Sequence, residues 1–250
     1  MELGIRYGSK KVSSPPEICL EKDKLKKLGD GMNLNDEKER AKKIFSILKK
    51  EYSTAKIALD FENPFQLLIA TILSAQCTDA RVNIVTKILF KKFRNAADFI
   101  SVPQEVLEKE IFSTGFYKQK AKSIQSCCKS LVENHNGEVP KDFDALTSLA
   151  GVGRKTASVV LGNAFGIPAV AVDTHVKRLS NLLGFIKSDD PEKIEFRIKE
   201  LLPEKDWTIS GHLLMNHGRK ICVARRPKCS ECKLADLCPS VVFDLKQKGK

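Results

Sequence analysis

Apolar residues at helical spacing run through most of this 250-residue chain, and they limit its possible folds more than any other feature. They recur every three to four positions from about residue 36 to about residue 221, whereas strand-like alternation is scarce. The apolar stretch at 169–172 is only a short link. The pattern predicts an all-α fold with short loops. It disfavours a nucleotide-binding α/β fold, which needs strands followed by glycine-rich loops.

Ten helices are predicted between two less regular ends. They cover about residues 36–56, 64–75, 79–93, 103–111, 118–134, 143–149, 154–165, 174–183, 191–201 and 208–221. Asp36 is a candidate cap for the first, and the second is apolar nearly all round, so we expect it to be buried centrally. Residues 1–33 are polar, and we expect a tail or a loosely held arm there.

The charge of the chain favours a polyanionic partner. The formal net charge is +12 and the pI is near 9.3. Such a surplus suits nucleic acid or an anionic membrane surface, although ordinary solubility charge is the alternative. We expect no membrane-spanning helix and no secretory signal, because long apolar runs are missing, and acidic residues near the start disfavour a mitochondrial transit peptide. The sequence thus predicts an intracellular protein.

A glycine turn interrupts the helical pattern near residue 150. A short apolar helix is predicted to end at Ala150, and a new helix follows Gly151 and Gly153. The first N–H groups of a helix have no intrahelical acceptor, so together with the helix dipole they can hold a phosphate. A plain packing corner is the alternative, but Arg154 and Lys155 follow at once and favour an anion site.

Four of the eight cysteines crowd into a short segment near the end of the chain. Cys222, Cys229, Cys232 and Cys238 have the spacing Cys-x6-Cys-x2-Cys-x5-Cys. Without a secretory signal a disulfide framework is disfavoured, and the clustering indicates a metal site. Four thiolates suit either a tetrahedral zinc ion or a four-iron cluster, and the ligand chemistry alone does not choose between them.

These motifs, in this order, resemble those of the endonuclease III family. Residues 149–157 resemble its helix-hairpin-helix motif, with Ala150 where the family usually has proline, and the cysteine spacing resembles its [4Fe–4S] loop. The resemblance covers roughly residues 34–240. It implies two helical lobes with DNA in the cleft between them. One lobe is a six-helix bundle domain at 57–168 that contains the hairpin, and the other is an iron–sulfur cluster domain formed by 34–56 plus 169–245.

The resemblance also implies a catalytic pair, Lys155 and Asp173. Lys155 would attack the sugar C1′, expel the damaged base and form a Schiff base; otherwise it is a phosphate-binding surface lysine. Its place in the first turn of a helix disfavours the charged amine, and the neutral amine is the nucleophile. Asp173 lies 18 residues later in a Val-Asp-Thr-His string that matches the family's catalytic aspartate, and it also suits a helix N-cap. His175 is assigned to structure.

The resemblance extends to the residues that would contact DNA. Gln76 would enter the duplex opposite the flipped nucleotide, and Phe116 would be the apolar wedge of a second loop. Three cations lie between the first two cysteines and suit phosphate contact or charge compensation for the thiolates. The predicted DNA-binding residues are Gln76, Phe116, Gly151, Val152, Gly153, Arg154, Arg225, Arg226 and Lys228.

The resulting expectation is a bifunctional DNA glycosylase/AP lyase of base excision repair. It would excise oxidised pyrimidines and cleave the strand 3′ to the abasic site by β-elimination. Its partner would be double-stranded DNA with a damaged base or an abasic site, and the protein would be a DNA-associated monomer. Three alternatives stay open. An adenine glycosylase of the same superfamily typically lacks the lysine, a non-catalytic DNA-binding module needs no Lys155–Asp173 pair, and a zinc-binding structural protein would be colourless.

Overall fold

The structure, a computed structural model, describes residues 33–241, and every regular element in this range is helical. The predicted all-α fold is therefore confirmed. The α-helices are α1 (Leu34–Glu51), α2 (Pro64–Leu73), α3 (Asp79–Lys92), α4 (Ala96–Ile100), α5 (Gln104–Ile111), α6 (Tyr117–His135), α7 (Phe143–Ser148), α8 (Arg154–Ala164), α9 (Thr174–Leu182), α10 (Pro191–Leu201) and α11 (Trp207–Lys220). The three-residue 3-10 helices are Phe112–Thr114, Glu204–Asp206, Cys229–Glu231 and Ala235–Leu237. Residues 1–32 of the predicted tail and 242–245 of the predicted cluster domain lie outside the described residues.

Side-chain caps set the starts of several helices. Asn33 caps α1, because its Oδ1 accepts the backbone N–H groups of Asn35 at 3.0 Å and Asp36 at 3.1 Å. The prediction of Asp36 as the cap was wrong, since the helix begins two residues earlier and Asp36 lies in its first turn, where a carboxylate faces the positive end of the dipole. Asn63 caps α2 in the same way, and Pro64 occupies its first position.

The range 57–168 contains seven α-helices where six were predicted. The additional one is α4, which is only five residues long. Asn95 and Asp98 form a capping box at its start, because each side chain accepts the backbone N–H of the other residue. An element of this length shows too little of the 3.6-residue period to be recognised from apolar spacing.

A first hydrophobic cluster is built from α2 to α8. Helix α2 lies inside it, with every residue from Leu67 to Leu73 buried, as its apolar sequence predicted. Phe99 is fully buried, and its ring lies 5.6 Å from that of Phe65 and 5.0 Å from that of Phe93. The burial of these side chains is the main free-energy source of this part of the fold.

A second hydrophobic cluster joins α1 to the helices that follow residue 169. Its members come from 41–52 and 170–234, so the chain returns to its first helix after completing the first cluster. The two clusters share none of their buried members. Of the helices that the structure describes, none is long and apolar enough to cross a membrane.

Candidate catalytic and DNA-binding site

The turn between α7 and α8 contains two glycines with different local requirements. Gly151 has φ +76°, and a Cβ there would lie 3.0 Å from the Cβ of Ser123. Gly153 has φ −93°, and a Cβ there would meet nothing within 4 Å. The fold itself therefore requires glycine at 151 but not at 153. The open space at Gly153 suits the close approach of a ligand to the backbone.

The start of α8 offers unpaired backbone donors beside this turn. Gly153 is the N-cap residue, and no side chain among the described residues caps the helix. By contrast, Asp173 caps α9 and Asp190 caps α10. An uncapped helix start combines free N–H groups with the positive end of the dipole, which is the arrangement that binds phosphate oxygens.

Lys155, the second residue of α8, is exposed beside this uncapped helix start. Within residues 33–241, no acidic side chain forms an ion pair with it. Asp173 is half-buried at the start of α9, where its Oδ1 accepts the N–H of Val176 at 2.7 Å. The predicted capping role of Asp173 is therefore confirmed. This hydrogen bond fixes the carboxylate in place.

The Arg154 side chain is paired with carboxylates of α10. Its Nη2 lies 3.0 Å from Glu195 Oε2, its Nη1 lies 3.4 Å from Glu192 Oε1, and its guanidinium stacks 4.8 Å from the centre of the Phe143 ring. Because the Glu195 side chain is only 5% exposed, this contact holds the start of α8 firmly against α10. Phosphate contact by the Arg154 side chain stays a prediction, and these carboxylates compete with it.

The other end of α8 is held against α11. A Cβ on Gly162 would lie 2.7 Å from Thr208, so the two helices touch there. Asn163 Oδ1 lies 2.8 Å from Nε2 of the buried His212. Burial lowers the pKa of His212, and the charge of the nearby Asp173 carboxylate opposes this shift. Helix α8 is thus held at its start by α10 and near its end by α11.

Burial likewise lowers the pKa of His175, and the Asp173 carboxylate again opposes the shift. His175 Nδ1 lies 3.4 Å from Nη2 of Arg178, which in turn donates to the carbonyl of Gly218 at 3.3 Å. These contacts agree with the structural role expected for His175.

Gln76 and Phe116 both stand at exposed turns with left-handed backbone. Gln76 has φ +52°, and Phe116 has φ +48° with 65% of its surface exposed. Such angles are uncommon outside glycine, so the surrounding structure must hold both residues in place. Sequence reasoning missed a second exposed aromatic residue here, Phe112, whose ring lies 4.8 Å from that of Tyr117. Phe112 follows directly after α5, and the apolar spacing gave no signal that its side chain would be exposed.

Arg225, Arg226 and Lys228 are all exposed between the first two cysteines. Arg226 has φ +126°, a strained value for a residue with a side chain, and Lys228 lies 3.9 Å from Glu231. The loop presents its cations to solvent, as phosphate contact requires.

The four clustered cysteines are half-buried and act on one another. Burial, together with the smaller effect of the charges of Cys222, Cys232 and Cys229, raises the pKa of Cys238 to about 11. Within residues 33–241, no three His, Cys, Asp or Glu side chains converge closely enough to bind a single metal ion. Four mutually repelling thiolates need a strongly positive bound group to stay deprotonated.

The surroundings of the thiols fit such a group. Backbone N–H groups of Leu234 and Ser240 lower the pKa values of Cys232 and Cys238 against the effect of burial, and the charge of Arg178 does so for Cys222. Donors aimed at sulfur are the usual outer partners of iron–sulfur clusters. His217 lies 3.5 Å from Cys232 Sγ through Nε2 and 3.1 Å from the Tyr52 hydroxyl through Nδ1. The cysteine segment is thereby attached to α11 and α1.

Comparison with known proteins assigns the chain to a class and then to a family. Residues 69–204 match the model of the HhH-GPD superfamily base excision DNA repair proteins, so this is the class that the fold and site define. Residues 222–238 match the iron–sulfur binding domain of endonuclease III. Endonuclease III of Synechocystis sp. is 52% identical over 204 residues, covering 81% of this chain and 93% of that protein. Endonuclease III of Bacillus subtilis is 48% identical over 185 residues, covering 74% and 84%.

The chain belongs to the endonuclease III family. A solved structure described as a trapped endonuclease III–DNA covalent intermediate is 47% identical, has a TM-score of 0.78, and covers 81% of this chain and 96% of that one. The protein is accordingly a base excision repair DNA glycosylase/AP lyase that has DNA as its partner and carries a [4Fe–4S] cluster. When bound, the cluster supplies the positive charge that keeps the four thiols ionised and cross-links their segment.

Proposed function

We propose that Lys155 is the nucleophile of this enzyme, that Asp173 assists it, and that the substrates are oxidised pyrimidines and abasic sites in double-stranded DNA. The observation that carries the proposal is the position of Lys155. It is an exposed lysine without an acidic partner among the described residues, beside an uncapped helix start and an open glycine. A strand phosphate bound at the helix start would bring a neighbouring sugar within reach of the amine.

The chemistry follows from this placement. The Lys155 amine attacks C1′, and the bond from C1′ to the damaged base breaks as the base departs with its electron pair. Asp173 accepts the lysine proton or stabilises the positive charge that develops on the sugar. The C1′–O4′ bond then opens, O4′ takes up a proton, and the nitrogen loses its remaining extra proton, which gives the Schiff base. The Schiff base acidifies C2′, and loss of a C2′ proton expels the 3′ phosphate and cuts the strand. The two groups that act in these steps lie at helix starts, Lys155 in the first turn of α8 and Asp173 at the N-cap of α9.

Access to the base requires an opened duplex. Flipping a nucleotide costs about a few kcal/mol, and a protein side chain must fill the gap. The exposed Gln76 and Phe116 support this role because both project from constrained turns. The exposed cations of the cysteine segment and the helix start of α8 would bind the backbone on either side.

Two hydrophobic clusters support a division into two lobes, 57–168 and 34–56 plus 169–245, with DNA across the cleft between them. We also propose that the protein acts as a monomer. Light scattering of the free protein and of its DNA complex tests this directly, and a protein mass twice that of the chain would contradict it.

Single-turnover cleavage of a duplex with one oxidised pyrimidine tests the catalytic roles. Lys155→Ala should lose strand cleavage, whereas Lys193→Ala, in the exposed first turn of α10, should retain it. Asp173→Asn keeps a capping side chain and removes the charge, so the variant should fold and bind DNA. Its reaction rate should be lower by at least about 100-fold. Base release without strand cleavage by the wild-type protein would indicate a monofunctional glycosylase. An unchanged rate in Asp173→Asn would remove Asp173 from the mechanism.

A further inference from the structure

Lys120 lies where the apolar face of α6 packs into the first hydrophobic cluster. It is only 5% exposed, and its neighbours on the same face, Ala121 and Ile124, are fully buried. A buried ammonium group is costly unless hydrogen-bond acceptors replace the lost water. The surroundings of its Nζ therefore explain why a lysine is tolerated here.

The Lys120 ammonium donates to two backbone carbonyls, those of Leu73 and Thr114, each at 2.8 Å. Leu73 is the last residue of α2, and Thr114 is the last residue of the 3-10 helix that follows α5. Carbonyls at helix ends lack intrahelical donors and form the negative end of the helix dipole. Burial lowers the pKa of Lys120, and the charge of the nearby Cys77 opposes this effect.

The Leu73 carbonyl directly precedes one of the two exposed turns, and the Thr114 carbonyl lies within the other. The Gln76 loop, residues 74–77, starts at the residue after Leu73, and the Phe116 loop, residues 112–116, includes Thr114. The backbone N–H of Lys120 also donates to the carbonyl of Phe116 at 3.0 Å. One residue thus holds the bases of both loops, although Leu73 and Lys120 are 47 positions apart in sequence.

We propose that Lys120 is a positioning residue that ties the Gln76 loop to the Phe116 loop, so that the two enter the opened duplex as one unit. The inference rests on the proposed function in that Gln76 and Phe116 are taken to fill the gap left by the flipped nucleotide. It adds a residue that touches neither DNA nor the reacting sugar and acts through the backbone of both loops. Loss of the ammonium would leave each loop folded but free to move independently.

Two substrates separate positioning from general stability. A duplex with an oxidised pyrimidine requires flipping and gap filling, whereas an abasic site in a single strand requires neither. Lys120→Met keeps the length of the side chain and removes its donors. We expect it to slow single-turnover cleavage of the duplex about tenfold or more, with less than about a twofold change on the single strand. Lys122→Met, on the exposed face of α6, is the matched control and should change neither rate.

A purely structural role would lower both rates together, and that result would overturn the proposal. Lys120→Gln retains a donor, so it should recover part of the duplex rate. If Lys120→Met and Lys120→Gln both lack helical circular dichroism at the assay temperature, then Lys120 is a determinant of folding, and the positioning role is rejected.

A double-mutant cycle tests whether Lys120 acts through the loops. Gln76→Ala and Phe116→Ala are each made alone and with Lys120→Met, and duplex rates are compared. Positioning predicts that Lys120→Met costs much less when the gap-filling side chains are already absent. Fully additive losses would overturn the positioning role of Lys120 and leave the gap-filling assignment of Gln76 and Phe116 intact. Wild-type duplex rates in both Gln76→Ala and Phe116→Ala would instead refute the gap-filling assignment, and the Lys120 proposal with it.

Discussion

The glycine hairpin at 149–153 and the cysteine segment at 222–238 are both short, mostly irregular segments, yet their order has different sources. The hairpin inserts Leu149 and Val152, 3% and 5% exposed, into a large hydrophobic cluster. Of residues 222–238, which the structure describes throughout, Leu234 is the only one with a buried side chain. The four thiols of this segment repel one another when they are ionised. The hairpin is ordered by packing, whereas the cysteine segment depends on the group that its thiols bind.

The largest expected effect is the loss of a cluster ligand. Cys238→Ala should remove the broad visible absorption of the cluster and destabilise the protein by about 4 kcal/mol or more, as the loss of a bound metal does. Anaerobic removal of iron by a chelator should have the same effect. Cys77→Ser, outside the clustered cysteines, should keep the absorption. A Cys238→Ala protein with full absorption and unchanged melting temperature would contradict the dependence of this segment on the cluster.

Gly151→Ala should destabilise the hairpin through packing and backbone strain. The left-handed backbone alone costs about 1–2 kcal/mol for a residue with a side chain, and the new Cβ would meet Ser123. Thermal unfolding should show a melting temperature lower by about 2–8 °C, with the visible absorption of the cluster retained. An unchanged melting temperature would mean that the hairpin is not held by packing.

Gly153→Ala should separate binding from stability within the same turn. Its Cβ meets nothing in the protein, so we expect a stability change of only about 0.5 kcal/mol, from the poorer N-cap. If a phosphate approaches this backbone, the new Cβ would block it and cost one hydrogen bond to a charged group. DNA affinity should therefore fall about tenfold. Equal affinity in a binding titration at fixed salt would place the phosphate elsewhere.

The basic loop should affect salt dependence more than stability. Arg225→Ala and Arg226→Ala should each reduce the slope of log affinity against log salt by about one, because each removes one phosphate contact. Arg154→Ala is the informative comparison, since its guanidinium is already paired with Glu195. Because Lys199 still pairs with Glu195, Arg154→Ala should lower stability by only about 1–2 kcal/mol and leave the slope unchanged. A reduced slope would show that Arg154 leaves Glu195 to bind DNA.

Features repeated along the sequence or carried by short motifs were predictable. The all-α fold followed from apolar spacing, and the central burial of α2 followed from its apolar faces. The metal site followed from cysteine spacing alone, but the choice of an iron–sulfur cluster needed family resemblance. Asp173 was recognised as a cap because its residue type and its place before a helix both favour that role.

Contacts between distant segments were not predictable. Arg154 pairs with a carboxylate 41 positions away, so its sequence context, which suggests phosphate, could not reveal Glu195. Lys120 did leave a signal, because it occupies a core position in the apolar stripe of α6 with Ala121, Ile124 and Leu131. A lysine at such a position predicts buried acceptors, but which carbonyls they are depends on how three helices meet.

The identity of the nucleophile is tested most directly by locating the covalent bond. The protein is incubated with a duplex that carries an oxidised pyrimidine, borohydride is added to reduce the Schiff base, and the complex is digested and analysed by mass spectrometry. We predict a single nucleotide adduct, carried by the peptide that contains Lys155 and formed through its Nζ. An adduct on another lysine or on the terminal amine, with Lys155 unmodified, would contradict the assignment.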